Sequence, residues 1–279
     1  MTIIVEMTAA DIPFALQMTG HEGWGMIRHD FLGLLEYSPH GCFIAREDDR
    51  PVGIISSVKY GDFAFLGTLI VAPDCRGRKI GETLMRRAIG YLHGVGVTTI
   101  ELDGVFAAVN LYRRLGFADK YLSLRFRRLP DNLPGPAEDR KPAKSLIKRN
   151  LLNLDSILVP YKRSFLLSSY YDAFSSSLIA IDKAPCPGYA FIRPLPGNAG
   201  FIGPFAAKNA KVAKTILGEI IDRYGQMTLV AGIPDINRAG VRLFRSNGFF
   251  HTLPSLRMYL GRRIDYEKAV FGIAAPHLG

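Results

Sequence analysis

The chain is short of the features that would settle its class at once. It holds three cysteines in 279 residues, Cys42, Cys75 and Cys186, widely spaced and without a C-x-x-C pair. An odd, scattered set argues against a disulfide framework and a zinc knuckle, and suits a reducing cytoplasm. Six histidines, at 21, 29, 40, 93, 251 and 277, show no metal-ligand spacing, so no metal is expected. No G-x-S-x-G elbow occurs. No apolar run approaches the ~18 residues of a membrane helix; the longest uncharged stretch, Pro194 to Ala207, is broken by three glycines and three prolines. The opening MTIIVEMTAADIP has no basic segment and carries Glu6 and Asp11, which does not read as a secretory signal. A cytoplasmic protein with no membrane partner is expected.

Acids are also scarce relative to bases. There are 25 Asp and Glu against 35 Lys and Arg, a formal net charge of +10. Residues 1–130 hold 15 basic and 14 acidic residues, and residues 131–279 hold 20 and 11. The excess in the second half is scattered, which fits a solvated face better than a nucleic-acid footprint. Hydrophobic residues reach 48%, an ordinary globular share, and the length suggests two modest domains.

The weakest stretch for regular structure is PDNLPGPAEDRKP, Pro130 to Pro142, which reads as a linker. The expected division is a domain over 1–130, a linker over 131–144 and a second domain over 145–279. An internal repeat supports it. LYRRLGF at Leu111–Phe117 recurs as LFRSNGF at Leu243–Phe249, and SLRF at Ser123–Phe126 recurs as SLRM at Ser255–Met258, both at an offset of 132. Two copies of one fold are expected, each ending in helix, Gly-Phe turn and strand.

In the first copy, strands are expected at Ile3–Met7, Gly41–Arg46, Val52–Lys59, Phe63–Val71, Thr98–Asp103 and Tyr121–Arg128. Helices are expected at Ala9–Met18, Met26–Tyr37, Arg78–His93 and Phe106–Leu115. The second copy repeats the pattern less clearly, with strands near Leu178–Asp182, Gly188–Arg193, Gly200–Gly203, Thr228–Gly232 and Ser255–Leu260. Its helices fall at Lys208–Tyr224 and Ala239–Asn247. This is an α/β (α+β) arrangement around a mixed, mostly antiparallel sheet flanked by helices.

The most specific segment is LIVAPDCRGRKIGETL, Leu69 to Leu84. An apolar strand runs through Pro73 into Arg76-Gly77-Arg78-Lys79-Ile80-Gly81 and then an amphipathic helix. Glycines allow tight turning and close approach of a ligand. The N–H groups at the helix start converge where the helix dipole favours an anion, and Arg76, Arg78 and Lys79 add positive charge. The pattern is a phosphate cradle, but neither a P-loop nor a dinucleotide fingerprint has this spacing.

V-A-P-x-x-R-G-R-x-I-G before a helix resembles motif A of the GCN5-related N-acetyltransferases. Leu111-Tyr112-Arg113-Arg114-Leu115-Gly116-Phe117 resembles the family's late L-Y-x-x-x-G-F signature. The family pattern is [RQ]-x-x-G-x-[GA], and Lys79 stands where its first glycine is expected. The resemblance covers residues 3–128 and implies an acetyl-CoA site formed by Leu69, Ile70, Val71, Arg76, Gly77, Arg78, Lys79, Ile80, Gly81, Glu82 and Thr83. It implies direct attack of an amine on the thioester, polarised by the backbone N–H groups of Ile70 and Val71. Tyr112 matches the family's tyrosine as general acid for the leaving thiolate, or else packs on Phe117. Asp103, ending its strand, is the candidate base, or caps the next helix. The strand Phe63–Val71 carries no Glu, Asp or His, so the other common base position is empty.

The second half resembles the C-terminal acetyltransferase-like domain of tandem bacterial members, through Gly188-Tyr189, Arg193-Pro194 and Ile202-Gly203-Pro204. It has no Arg-Gly-x-x-x-Gly cradle. It would shape the acceptor site or regulate, with Arg193 a candidate for binding an acidic group or a plain surface arginine. Trp24, between Gly23 and Gly25, either lines the acceptor pocket or sits in the core. Asp155 and Arg163 are placed to pair as a clamp between the halves. The resulting expectation is an N-acetyltransferase for a small-molecule amine, monomeric or homodimeric. A non-catalytic acyl-CoA sensor is the alternative, and a nucleic-acid binder a distant third.

Overall fold

A computed structural model describes residues 2–131, 147–181 and 188–279. The expected linker, beyond Asp131, lies outside the described residues, as do Cys186 and the Asp182 end of one expected strand. In the first half the elements are β1 (Thr2–Glu6), α1 (Ile12–His21), α2 (Arg28–Tyr37), β2 (Phe43–Glu47), β3 (Arg50–Tyr60), β4 (Phe63–Val71), α3 (Ile80–Gly94), β5 (Thr99–Gly104), α4 (Val109–Arg114) and β6 (Ala118–Arg128). The second half contributes α5 (Lys148–Leu158), α6 (Ser164–Phe174), β7 (Ile179–Ala180), β8 (Gly188–Leu195), β9 (Ala199–Ala207), α7 (Ala210–Tyr224), β10 (Thr228–Pro234), α8 (Arg238–Ser246), β11 (Phe250–His251), β12 (Ser255–Gly261) and β13 (Val270–Gly272). Helices α5 and α6 are additions to the expected set. Among the described residues no helix is long and apolar enough to cross a membrane.

The chain forms two compact units that do not follow sequence order. The first is Met1–Lys120 with Arg257–Arg263 and His277–Gly279; the second is Tyr121–Leu256 with Ile264–Pro276. Each unit therefore contains the last strand of the opposite repeat. The repeated SLRF and SLRM segments lie in those two strands, β6 and β12, so each unit is finished by a strand of similar sequence.

In the first unit the strand order is β1-β2-β3-β4-β5-β12. The first four strands pair antiparallel, while β4 and β5 run parallel. Helix α3 buries Ile80, Leu84, Met85, Ala88 and Leu92, the stripe its apolar spacing calls for. In the second unit the order is β6-β10-β9-β8-β7, again antiparallel except for the parallel pair β9–β10. Its core gathers Phe126, Ile192, Phe205, Ile216, Phe244 and Phe271. The two units thus share one pattern: a run of antiparallel strands, four in the first unit and three in the second, then a helix leading to a parallel strand, and a closing strand.

Asp155 and Arg163 do pair, but inside the second unit. Arg163 Nε donates to Asp155 Oδ2 at 3.0 Å and Nη2 to Oδ1 at 2.8 Å, joining α5 to the start of α6. The Tyr189 hydroxyl donates to Asp155 Oδ1 at 2.5 Å, and burial holds that phenol well above its usual pKa. The pair is a corner brace of one domain.

Candidate active site

The site begins where the parallel pair of the first unit comes apart. Strands β4 and β5 are in register from Phe63↔Thr99 to Leu66↔Leu102 and no further. A bulge lies opposite β3 between Ile54 and Ser56, with Thr68 at φ 47°. A β-branched residue in the left-handed region is strained, and here it re-aims the end of β4. Its hydroxyl donates to Ser56 Oγ at 2.7 Å, which holds the bend. Beyond it Leu69, Ile70 and Val71 lie outside the ladder with β5.

The cradle follows directly. Gly77 takes φ +79° with open space around it. Lys79, where the family pattern has glycine, takes the same left-handed region at φ 62°, ψ 7°. The turn survives the substitution, at a cost of about 1–2 kcal/mol for a residue with a Cβ. No side chain caps α3, so its first N–H groups, from Ile80 to Glu82, have no partner within the helix. A Cβ added to Gly81 would meet only Val71 Cγ2 at 3.5 Å and Leu111 Cδ2 at 4.0 Å, which brings α4 beside the cradle. Thr83 Oγ1 bonds back to Lys79 O at 3.1 Å, and Glu82 pairs with Arg86, so both face the helix itself.

Two cradle arginines are held by carboxylates. Arg76 Nε donates to Val71 O at 3.0 Å and its Nη2 to Glu22 Oε1 at 2.7 Å. Arg78 Nη2 donates to Glu47 Oε1 at 2.7 Å. The Thr2 hydroxyl, with Arg78 beside it, holds the Glu47 carboxyl below its usual range. These pairs are largely exposed, and such pairs are worth about 0.2–1 kcal/mol. An incoming phosphate competes with each. Glu22→Gln or Glu47→Gln should therefore tighten acetyl-CoA binding about 1.5- to 5-fold by titration calorimetry; unchanged or weaker binding would show that the carboxylates do not compete.

Tyr112 stands on the far side of the split. Its ring rests on Gly104 at the end of β5, where an added Cβ would lie 2.6 Å from Cε2, and edge-on to Phe117 at 6.2 Å. It is 6% exposed, and burial pushes the phenol up to about 12. Asp103 lies one residue past the last β4–β5 pair, but its carboxylate is committed. Arg257, from β12, donates through Nε to Oδ1 at 2.8 Å and through Nη2 to Oδ2 at 3.2 Å. The same guanidinium donates to Glu101 Oε2 at 3.2 Å, Lys120 Nζ donates to Glu101 Oε1 at 2.6 Å, and all four side chains are within 1% of complete burial. Sequence reasoning had no route to Arg257, which lies 154 residues from Asp103.

Trp24 is 38% exposed in the loop between Gly23 (φ 67°) and Gly25 (φ 64°), two residues after the Glu22 that meets Arg76. Arg193 belongs to the second unit and is no surface residue: it is 2% exposed, with its guanidinium 5.7 Å from the Phe201 ring centre. Among the described residues no cluster of His, Cys, Asp and Glu is arranged to hold a metal.

The corresponding split of the second unit is filled by the chain itself. The β9–β10 ladder ends at Val230↔Phe201. Beyond it β13 enters, pairing Val270 with Ala206 and Gly272 with Phe205 on one side. On the other, Ile273 N donates to Gly232 O at 2.9 Å and Asn237 Nδ2 to Val270 O at 2.8 Å. Glycines make room for the insertion: a Cβ on Gly203 would lie 2.0 Å from Ile273 O, and one on Gly232 would lie 2.7 Å from the Ile273 side chain. The start of α7 is likewise used, because Asn209 accepts from Val212 N at 3.0 Å.

Two models of the acetyltransferase (GNAT) family match the chain, one over residues 12–117 and one over 151–272. An uncharacterised N-acetyltransferase of Methanocaldococcus jannaschii is 34% identical over 100 residues, 32% of this chain and 44% of that protein. The chain thus matches less than half the length of this curated relative. Among solved structures, a Pyrococcus horikoshii protein assigned as an acetyltransferase superposes with TM-score 0.82 at 24% identity, covering 100% of this chain and 96% of the other. A tandem GNAT protein of the clavulanic acid pathway gives 0.61 at 15% identity, covering 95% and 100%. These likenesses speak to the fold.

Proposed function

Since the chain belongs to the GNAT acetyltransferase family in both its halves, we propose that its first unit moves an acetyl group from acetyl-CoA to the amine of a small molecule by direct attack. The second unit, in this reading, binds no acyl-CoA. The carrying observation is the contrast between two copies of one split. The first has an uncapped helix start, two arginines and a strand end that no strand covers on the β5 side; the second has its strand gap filled by β13 and its helix start capped by Asn209. Calorimetric titration should give one acetyl-CoA per chain. No binding would sink the proposal, and two per chain would sink the assignment of the second unit.

The residues present suit that ligand. The Ile80–Glu82 N–H groups, Arg76 and Arg78 would hold its pyrophosphate, and backbone N–H groups of Leu69–Val71, outside the ladder with β5, would hold and polarise the thioester. Tyr112 keeps its proton across the working range. Full transfer from a phenol near 12 to a thiolate of ordinary pKa, ~8.5, runs uphill by about 5 kcal/mol. It therefore acts mainly as a hydrogen-bond donor to the departing sulfur, with solvent completing protonation. Asp103, bonded to Arg257 from both oxygens, anchors β12 and is not the base.

Tyr112→Phe should lower kcat about 10- to 100-fold, the worth of a hydrogen bond to a charged group. Burial favours the neutral phenol, so its loss of the proton belongs near pH 12 and the wild-type rate should show no Tyr112 limb between pH 7 and 10. Thiol release across a panel of polyamines, aminoglycosides, amino acids and peptides checks both points. An unchanged kcat in an active preparation would remove Tyr112 from the mechanism. Binding without turnover on any amine would instead favour a sensor.

A further inference from the structure

We propose that the imidazole of His277, delivered from the far end of the chain, takes the proton from the acceptor amine in the first unit. The proposal rests on the acetyl-transfer reading above. It starts from two glycines in equivalent places. Gly67 stands fifth in the nine residues of β4, and Gly203 stands fifth in the nine of β9. Each lies where its parallel ladder has just ended, and each has no side chain because another segment occupies the space. At Gly203 the occupant is Ile273; at Gly67 it is His277, whose Cα and Cβ would both lie 2.7 Å from an added Cβ. The same C-terminal segment thus supplies an apolar residue to the closed split and a titratable one to the open split.

The position is built, not incidental. The Tyr60 hydroxyl donates to Leu278 O at 2.8 Å, Gly279 packs on the Phe65 ring, and His277 is 5% exposed. Four residues upstream, Ile273 is fixed by its bond to Gly232. Side chains alternate along a strand, and directly opposed residues of a parallel pair share a face. Phe65, Gly67, Glu101 and Asp103 therefore face one way, and Leu66, Leu102 and Gly104, on which Tyr112 rests, face the other. The split has the Tyr112 ring against one face and the backbone and Cβ of His277 against the other. Acyl transfer needs a donor for the sulfur and an acceptor for the amine proton, and one group cannot be both at once.

Histidine is the side chain whose ordinary pKa suits that acceptor role near neutrality. The charged groups on its face of the sheet are Glu101, Asp103, Lys120 and Arg257, two acids and two bases already paired with one another. In the step, the amine nitrogen bonds to the thioester carbon and its proton passes to the imidazole. The C–S bond then breaks, the departing thiolate accepts a hydrogen bond from Tyr112 and takes its proton from solvent, and the imidazolium returns its proton to water.

The test uses the full-length protein. The ring resonance present in wild type and absent in His277→Gln should titrate between pH 5 and 8 and shift when acetyl-CoA saturates the protein, a readout needing no acceptor. A ring that neither titrates there nor responds overturns the proposal. With an amine substrate, His277→Gln should lose the acid limb of kcat/KM and fall about 100-fold or more, with acetyl-CoA affinity changed less than threefold. An unchanged limb in the folded variant also overturns it. Gly67→Ala, which keeps the imidazole but forces its backbone off β4, should reproduce the loss. Failure of wild type to bind acetyl-CoA would instead sink the acetyl-transfer reading itself.

Discussion

Arg257→Met should destabilise the protein by about 3–5 kcal/mol, a large part of the 5–15 kcal/mol that holds a domain together. The methionine fills similar space, but it leaves the Asp103 carboxylate buried with its guanidinium gone and strips Glu101 of one of two cations. Removing one partner of a buried pair is the costly operation, because the remaining charge has neither water nor a counter-ion. Asp103→Asn in the same background should recover part of the loss by removing that charge. By contrast, Arg113→Ala, which breaks the exposed pair with Asp119, should cost under about 1 kcal/mol. Urea unfolding measures all three. Arg257→Met within 1 kcal/mol of wild type would mean that the carboxylates find water or protons instead.

Gly81→Asp should move stability and binding in opposite directions. The added Cβ meets only ordinary contacts, and a helix-start carboxylate suits the dipole, so the melting temperature should hold or rise. The same carboxylate occupies the space meant for a phosphate and repels it, so acetyl-CoA affinity should fall 100-fold or more. Arg76→Ala removes one charge-assisted contact and should cost about 10- to 100-fold. Lys208→Ala, at the capped helix start of the second unit, should change nothing. If Gly81→Asp unfolds the protein, the helix start is tighter than the structure shows. If it binds normally, the cradle is elsewhere.

The strands and helices of the first half were legible because their apolar periods are clean: Phe63–Val71 was read to the residue, and α3 to within two. The cradle was legible because its chemistry is contiguous. What escaped depends on distant pairings. Asp103 looks like a free base until Arg257 is placed beside it, and no spacing rule links residues 103 and 257. Tyr112 offered a ring and a hydroxyl, and burial decides how firmly the proton is held. The strand β13 had a faint signal: Gly203 and Gly232 interrupt apolar strands, which marks close approach of another backbone without saying which. Helix α5 escaped because Asp155, buried with its bonds to Arg163 and Tyr189, breaks its apolar stripe.

The exchanged final strands also bear on synthesis. The first unit cannot complete its sheet until residues 257–263 exist, so a ribosome must make most of the polypeptide before the earliest-made domain has its last strand. Until then β5 presents an open edge, a template for pairing with another nascent chain. Expressing residues 1–130 alone would give a protein whose own SLRF strand must stand in for the missing SLRM. Chain termination anywhere before Arg263 would harm the N-terminal domain as much as the C-terminal one.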